Sequence, residues 1–275
     1  MKTAQLKIGE KTFELPIITG TENEECIDVS RLRAETNHIT FDPSYANTGS
    51  CVSEITYING EKGILRYRGY PIGQLAENAS FVEVIYLLLY GELPTNSQLD
   101  TFNADLTYHT LIHEDMKRFF DSYPMNAHPM GVLASTVAAL STFYPARVDS
   151  DVELNIVRIL AKMKTLAAFA YKKSIGQPLI YPKNDLGFEE NFLHMMFAVP
   201  SEEYEVDTDM INAVRLLLIL HADHEQNCST SAVRMVGSSR ANLFISIAAG
   251  IGALWGALHG GANQRVIEML KMIHA

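Results

Sequence analysis

Cysteine is scarce and scattered. Cys26, Cys51 and Cys228 are three in number and far apart, which excludes a disulfide framework and any CxxC metal pattern. Three free thiols in a reducing cytoplasm are expected. Positive charge is also short: 22 Lys and Arg stand against 32 Asp and Glu, for a net charge of -10. No basic stripe offsets it, so nucleic acid is excluded as the main partner. An anionic substrate needs local arginines, because the overall field repels it. Long apolar runs are missing too. The one candidate, LFISIAAGIGALWGAL from Leu243 to Leu258, carries no charge but falls short of the ~20 residues a membrane span needs; a buried helix is expected there. The start, MKTAQLKIGEKTFELP, has neither an apolar signal core nor an arginine-rich amphipathic pattern, so a cytoplasmic protein without a membrane anchor is expected. Repeats and low-complexity linkers are absent as well.

What is present is an ordinary globular composition, 47% hydrophobic and 20% charged over 275 residues, with ample chain for a core. Periodicity changes near residue 70. Over 1–70 the segments AQLKIG and KTFELPI read as short strands, and SEITYINGEKGILRYRG alternates on both sides of NGEKG, a hairpin signal. Over 71–275 the signals are helical. NASFVEVIYLLLYGELPT has Ser80 as N-cap, Glu83 as its capping-box partner, and Gly91 then Pro94 as stops. HPMGVLASTVAALSTFYP, DVELNIVRILAKMKTLAAFAYKKSIGQP, DTDMINAVRLLLILHADHE, NLFISIAAGIGALWGALHGG and NQRVIEMLKMIHA follow as helices. The expected fold is mainly α, one multi-helical domain with a strand-rich front. Gly252, Gly256 and Gly260 fall four apart and predict a smooth stripe for tight packing or a subunit contact.

The stretch LLLILHADHEQNCSTSAVR sets an apolar run against a polar cluster. Helical spacing puts His221, His224 and Glu225 on one face. Two histidines a turn apart suit zinc, but HxxHE is neither HExxH nor HxxEH. The alternatives are partly buried histidines satisfied by backbone and a substrate wall. GALHGGANQ bears on the third. His259 precedes a helical segment, and the positive end of a helix dipole favours a neutral imidazole, able to donate a hydrogen bond to a carbonyl oxygen. Gly260 and Gly261 let backbone approach a ligand.

HADHEQNCSTSAVR followed by LWGALHGGANQ, with the front ITYINGEKGILRYRGYPI and LLLYGELPT, resembles the citrate synthase family over essentially the whole chain. It is most similar to the form found in Gram-negative bacteria. The resemblance implies a Claisen-type condensation: acetyl-CoA loses a methyl proton to an aspartate, a histidine donates to the thioester oxygen, the enol attacks oxaloacetate, and hydrolysis releases citrate and CoA. It assigns His259 to the thioester oxygen, His224 to oxaloacetate, and His221 to the same wall. It implies no metal and no resident cofactor, acetyl-CoA being a co-substrate, and a homodimer or a hexamer built of dimers. The family's second catalytic histidine, its catalytic aspartate and its oxaloacetate-clamping arginines match nothing in the chain. A large-domain portion, inactive alone, is therefore expected.

The resemblance implies a second, allosteric site for NADH at His109, Tyr144, Arg158, Lys162 and Asn184. Arg158 and Lys162 are i, i+4 on one helix, a phosphate clamp or else an ordinary solvated face. Tyr108 stands where an arginine is expected, and Ser201 where a reactive cysteine is expected. Methylcitrate synthase, taking propionyl-CoA, is an alternative within the class. A metal-dependent hydrolase using His221, His224 and His259, and a non-catalytic helical binding module, are alternatives outside it.

Overall fold

A computed structural model describes residues 2–43, 45, 47–145 and 151–274, except for the side chains of residues 262 and 263. The chain forms two compact units, Met1–Ser53 and Glu54–Ala275. In the first, β1 (Thr3–Ile8), β2 (Lys11–Thr19) and β3 (Glu25–Ile27) make an antiparallel meander, followed by the short helix α1 (Leu32–Thr36). Alternating side chains and the left-handed turn glycine Gly9 (φ 61°) explain the first hairpin.

The second unit opens with the expected hairpin. Strand β4 (Thr56–Asn59) pairs with β5 (Ile64–Tyr67), closed by a left-handed Gly63, and β6 (Tyr70–Pro71) adds an edge. The strand-rich segment expected over 1–70 is thus shared between the two units. The helices are α2 (Ile72–Asn78), α3 (Phe81–Tyr90), α4 (Asn96–Tyr108), α5 (Lys117–Ser122), α6 (Pro129–Phe143), α7 (Val152–Ser174), α8 (Phe188–Phe197), α9 (Thr208–Leu220), α10 (Cys228–Gly237), α11 (Leu243–Leu254) and α12 (Gly261–His274). The fold is mainly α, as the sequence predicts. The capping box of α3 is present, with Ser80 N–H donating to Glu83 Oε2 (2.7 Å) and Glu83 N–H to Ser80 Oγ (3.2 Å). Gly91 closes the helix in the left-handed region.

Helix α7 is the centre of the unit, with α4, α6, α8 and α11 packed against it. One apolar cluster joins α6, α7 and α11 through Leu140, Phe169 and Phe244; another joins the hairpin to α2, α3 and α9 through Tyr67, Leu75, Leu87 and Ile219. Among the described residues no helix is long and apolar enough to cross a membrane, and Cys26, Cys51 and Cys228 are free and exposed.

At the end of α9, Ile219 is fully buried and Leu217 is 56% exposed. Two expectations are corrected. The run Leu243–Leu258 does not stay helical: α11 ends at Leu254, a turn follows, and Leu258 is fully exposed. The glycine stripe therefore cannot form one helix face. A Cβ on Gly252 would meet nothing, and Gly256 and Gly260 lie in the turn. The glycine that permits close approach is Gly250, where a Cβ would lie 2.6 Å from Val233 Cγ2 and 3.3 Å from Ser229 O on α10.

Candidate functional site

His259 lies in the turn between α11 and α12, as its flanking glycines predict. Trp255 N–H still donates to Ile251 O (3.0 Å), and Gly260 N–H returns to Leu254 O (2.9 Å). A Cβ on Gly260 would lie 2.4 Å from that carbonyl, so no other residue closes the turn this tightly. His259 is half-buried just before α12 begins. Its Nε2 is 3.0 Å from Ser229 Oγ. Ser229 sits in the first turn of α10, whose N-cap Asn227 accepts Thr230 N–H at Oδ1 (2.9 Å). Ser229 Oγ also lies 2.8 Å from that Oδ1. Gly250 brings α11 onto α10 and so sets Ser229 against His259.

His221 and His224 do not share a helix face with Glu225. Helix α9 stops at Leu220, His221 is its C-cap, and His224 and Glu225 are in the loop beyond. The stop has a physical cause in the hairpin. Tyr67, fully buried on β5, donates its hydroxyl to Ile219 O (3.0 Å) and accepts Asp223 N–H (3.3 Å). Asp223 Oδ2 takes Glu225 N–H (3.0 Å), Glu225 adopts the left-handed φ of 56°, and its Oε1 accepts Ile58 N–H (2.8 Å). Glu225 thus pins the loop to β4 and does not join a histidine face. The two imidazole rings are exposed, 6.2 Å apart between centroids and tilted by 39°. His221 Nδ1 lies 2.8 Å from Leu217 O; a carbonyl only accepts, so Nδ1 carries the proton. Among the described residues no group of three His, Cys, Asp or Glu is placed to hold a metal ion.

The structure brings four of the five residues of the second candidate site together. Arg158 lies 4.7 Å and Lys162 5.3 Å from the ring centroid of Tyr144. Lys162 Nζ donates to His109 O (2.6 Å) and Leu111 O (2.8 Å). Lys162 is almost wholly buried and Arg158 half-buried, so an ordinary solvated face is the wrong description of this stretch of α7. Burial, and then Arg158, lower the Lys162 pKa to about 8. Burial is also the first cause of the lowered His109 pKa, with Lys162 and Arg158 adding to it. The Tyr144 phenol is pushed up by burial, against Arg158. Asn184 lies exposed in the turn before α8 and makes no hydrogen bond to the other four among the described residues. Tyr108 and Ser201 are exposed.

Sequence reasoning missed Ser229, Asn227 and Tyr67. For the first two a signal exists: Asn227 three residues before Thr230 is an N-cap pattern, which marks a new helix at Cys228. Tyr67 is 152 residues from its partner Ile219, and no local pattern reports that.

The sequence model "Citrate synthase, C-terminal domain" matches residues 44–275. Citrate synthase 1 of Mycobacterium tuberculosis is 56% identical over 98% of this chain, which covers 64% of that protein. The citrate synthase of Pyrobaculum aerophilum superposes with a TM-score of 0.76 at 31% identity, over 100% of this chain and 65% of its own. That of Thermoplasma acidophilum, solved as a ternary complex with carboxymethyl coenzyme A and oxaloacetate, has a TM-score of 0.77 at 26% identity, over 83% and 60%. The chain spans slightly less than two thirds of the length of the curated relatives it matches. A family match over most of the chain, on a fold that sets a Ser229-bound His259 before α12, makes this chain a member of the citrate synthase family.

Proposed function

We propose that this chain contributes the His259 and His224 portion of a citrate-forming site, in which acetyl-CoA and oxaloacetate condense and hydrolyse to citrate and CoA. The observation that carries the reading is the position of His259 in the turn before α12, with Nε2 held by Ser229. When Ser229 donates to Nε2, Nδ1 keeps its proton and donates to the thioester oxygen as the enol forms. His224, exposed on the loop that Glu225 and Tyr67 pin, binds oxaloacetate beside His221. With Nδ1–H held by Leu217 O, Nε2 of His221 offers a donor to a carboxylate only as imidazolium. This reading takes the base that removes the methyl proton, the second histidine and the arginine clamp from residues other than those assigned here. In this reading the protein is a large-domain portion of a cytoplasmic enzyme of the Gram-negative type, a homodimer or a hexamer of dimers, and uses no metal or resident cofactor.

The Tyr144, Arg158, Lys162 and His109 cluster supports a finer reading, an NADH site that regulates the enzyme. A buried lysine and a half-buried arginine beside one aromatic ring suit a phosphate and an adjoining planar group. The citrate-forming reading is tested in a protein that spans the relatives' full length. His259→Ala lowers kcat on the order of 10²–10³ with little change in the KM for oxaloacetate, measured by thiol release; an unchanged kcat ends the assignment. Propionyl-CoA turned over faster than acetyl-CoA would make methylcitrate the product.

A further inference from the structure

A pocket of about 460 Å³ lies at the C-terminal end of α8, walled by His194, Lys183 and the loop after the helix. Both walls are fixed from within. Lys172, fully buried on α7, donates to Ala198 O (2.7 Å) and to Gln177 Oε1 (2.6 Å). Asn191, also buried, accepts Lys183 N–H at Oδ1 (3.1 Å) and donates to Lys183 O (2.6 Å). His194 is 7% exposed, and its ring makes no hydrogen bond among the described residues. Its pKa is lowered by burial and then by Lys183, so near neutral pH it is an uncharged imidazole with one free lone pair. Its ring nitrogens are not among the enclosed unpartnered atoms, so the free acceptor is reached from the pocket it lines.

Three further facts select the donor. Glu202, Glu203 and Glu205 line the pocket with one lysine, Lys183, and the buried Lys172 lies behind Ala198, so three carboxylates face two ammonium groups. The remaining carbonyls at the end of α8 carry partial negative charge. Tyr204 and Val199 supply an apolar stretch between the polar groups. A cationic N–H donor with a methylene stem satisfies all three. We propose that this pocket binds a short linear polyamine: one ammonium donates to the free imidazole nitrogen of His194, the stem lies along Tyr204 and Val199, and the outer ammonium groups pair with the glutamates. The proposal is independent of the condensation reaction.

Titration calorimetry with spermidine on the 275-residue protein at about 0.15 M salt, where exposed charges are screened, tests it. One saturable site is expected, and Mg²⁺ at equal ionic strength does not displace the amine. Glu203→Gln with Glu205→Gln weakens binding tenfold or more, Lys183→Ala tightens it, and His194→Phe weakens it tenfold or more. The glutamates and Lys183 are exposed, so those variants decide the matter even if His194→Phe fails to fold. Unsaturable uptake that Mg²⁺ abolishes, or an affinity unmoved by the glutamate pair, overturns the proposal.

Discussion

Ser229 has one hydroxyl proton and two claimants for it, Asn227 Oδ1 at 2.8 Å and His259 Nε2 at 3.0 Å. If the proton goes to Asn227, Nε2 must carry its own hydrogen, and Nδ1 is a bare acceptor. If it goes to His259, Nδ1–H is the donor that an enol needs. Catalysis on the proposed route therefore draws the Ser229 proton away from Asn227, which keeps Thr230 N–H. Ser229→Ala removes that control. A lost hydrogen bond of about 0.5–1.5 kcal/mol corresponds to a kcat lower by roughly two- to tenfold, with the KM for oxaloacetate unmoved, in a protein of the relatives' full length. A changed KM with an intact kcat would assign Ser229 elsewhere. His259 itself is legible in the sequence, because LHGG before a helical stretch is a local pattern. Its partner is not, because the bond spans 30 residues and depends on how two helices cross. Buried lysines are illegible for the same reason. Lys164, over the Phe188 ring at 4.2 Å, has its pKa lowered to about 8 by burial, against Glu189. The unfolded chain keeps its lysine proton up to the ordinary value of 10.5, so between about pH 8 and 10.5 the unfolded state holds more protons and stability rises with pH. Lys164→Met should flatten that rise, measured by urea midpoints at pH 7.5, 8.5 and 9.5; an unchanged slope would mean that Lys164 keeps its ordinary pKa in the fold.

Elements were legible where their ends are local. The α3 capping box, the Gly63 hairpin and the Gly176 stop (φ 67°) each rest on residues a few positions apart. Helix α9 shows the opposite case. Its apolar periodicity runs straight into HADHE, and helical spacing alone predicts continuation; the Tyr67 hydroxyl and the Glu225 bond to Ile58 end it from another element. Helices α4 and α10 each carry a polar N-cap, Thr95 and Asn227, but their first turns hold few apolar residues, so no apolar period marks where they begin. Gly250 tests how elements position the site. Gly250→Ala forces a Cβ to within 2.6 Å of Val233 Cγ2 and 3.3 Å of Ser229 O. Such overpacking costs about 1–3 kcal/mol, read as a lower denaturant midpoint. Because Ser229 backbone is one of the atoms displaced, the same variant should also lower kcat in a protein of the relatives' full length. Gly252→Ala, with open space around it, should change neither. Equal effects at both positions would mean that the α10–α11 contact does not set the site.

At the scale of the molecule, mainly helical architecture followed from the change of period near residue 70, whereas the division at Ser53 did not, since the hairpin belongs by packing to the helices it anchors. Surface chemistry is the other whole-molecule feature. Helix α12 exposes Val266, Ile267, Leu270, Met272 and Ile273, and Leu258 in the preceding turn is fully exposed. On the proposed route, His259 therefore sits at the start of a helix that is largely bare in this chain. Its ring is hydrogen bonded to Ser229, and no carboxylate is hydrogen bonded to it among the described residues. His221 and His224 are likewise exposed. Water then reaches every donor and weakens its hold on a developing oxyanion. The proposed route assigns no residue described here to the methyl proton, so general-base help on the order of 10²–10⁴ is expected to be lost. Reactants not enclosed together also forfeit proximity. These losses multiply, so the 275-residue protein alone should release no measurable thiol from acetyl-CoA and oxaloacetate, while a protein of the relatives' full length turns over. Oxaloacetate should still bind it weakly, with the His221 and His224 ring resonances shifting on titration and His224→Ala abolishing the shift. Turnover by the 275-residue protein near that of the longer one, with the longer one excluded by mass spectrometry, would place the base within this chain.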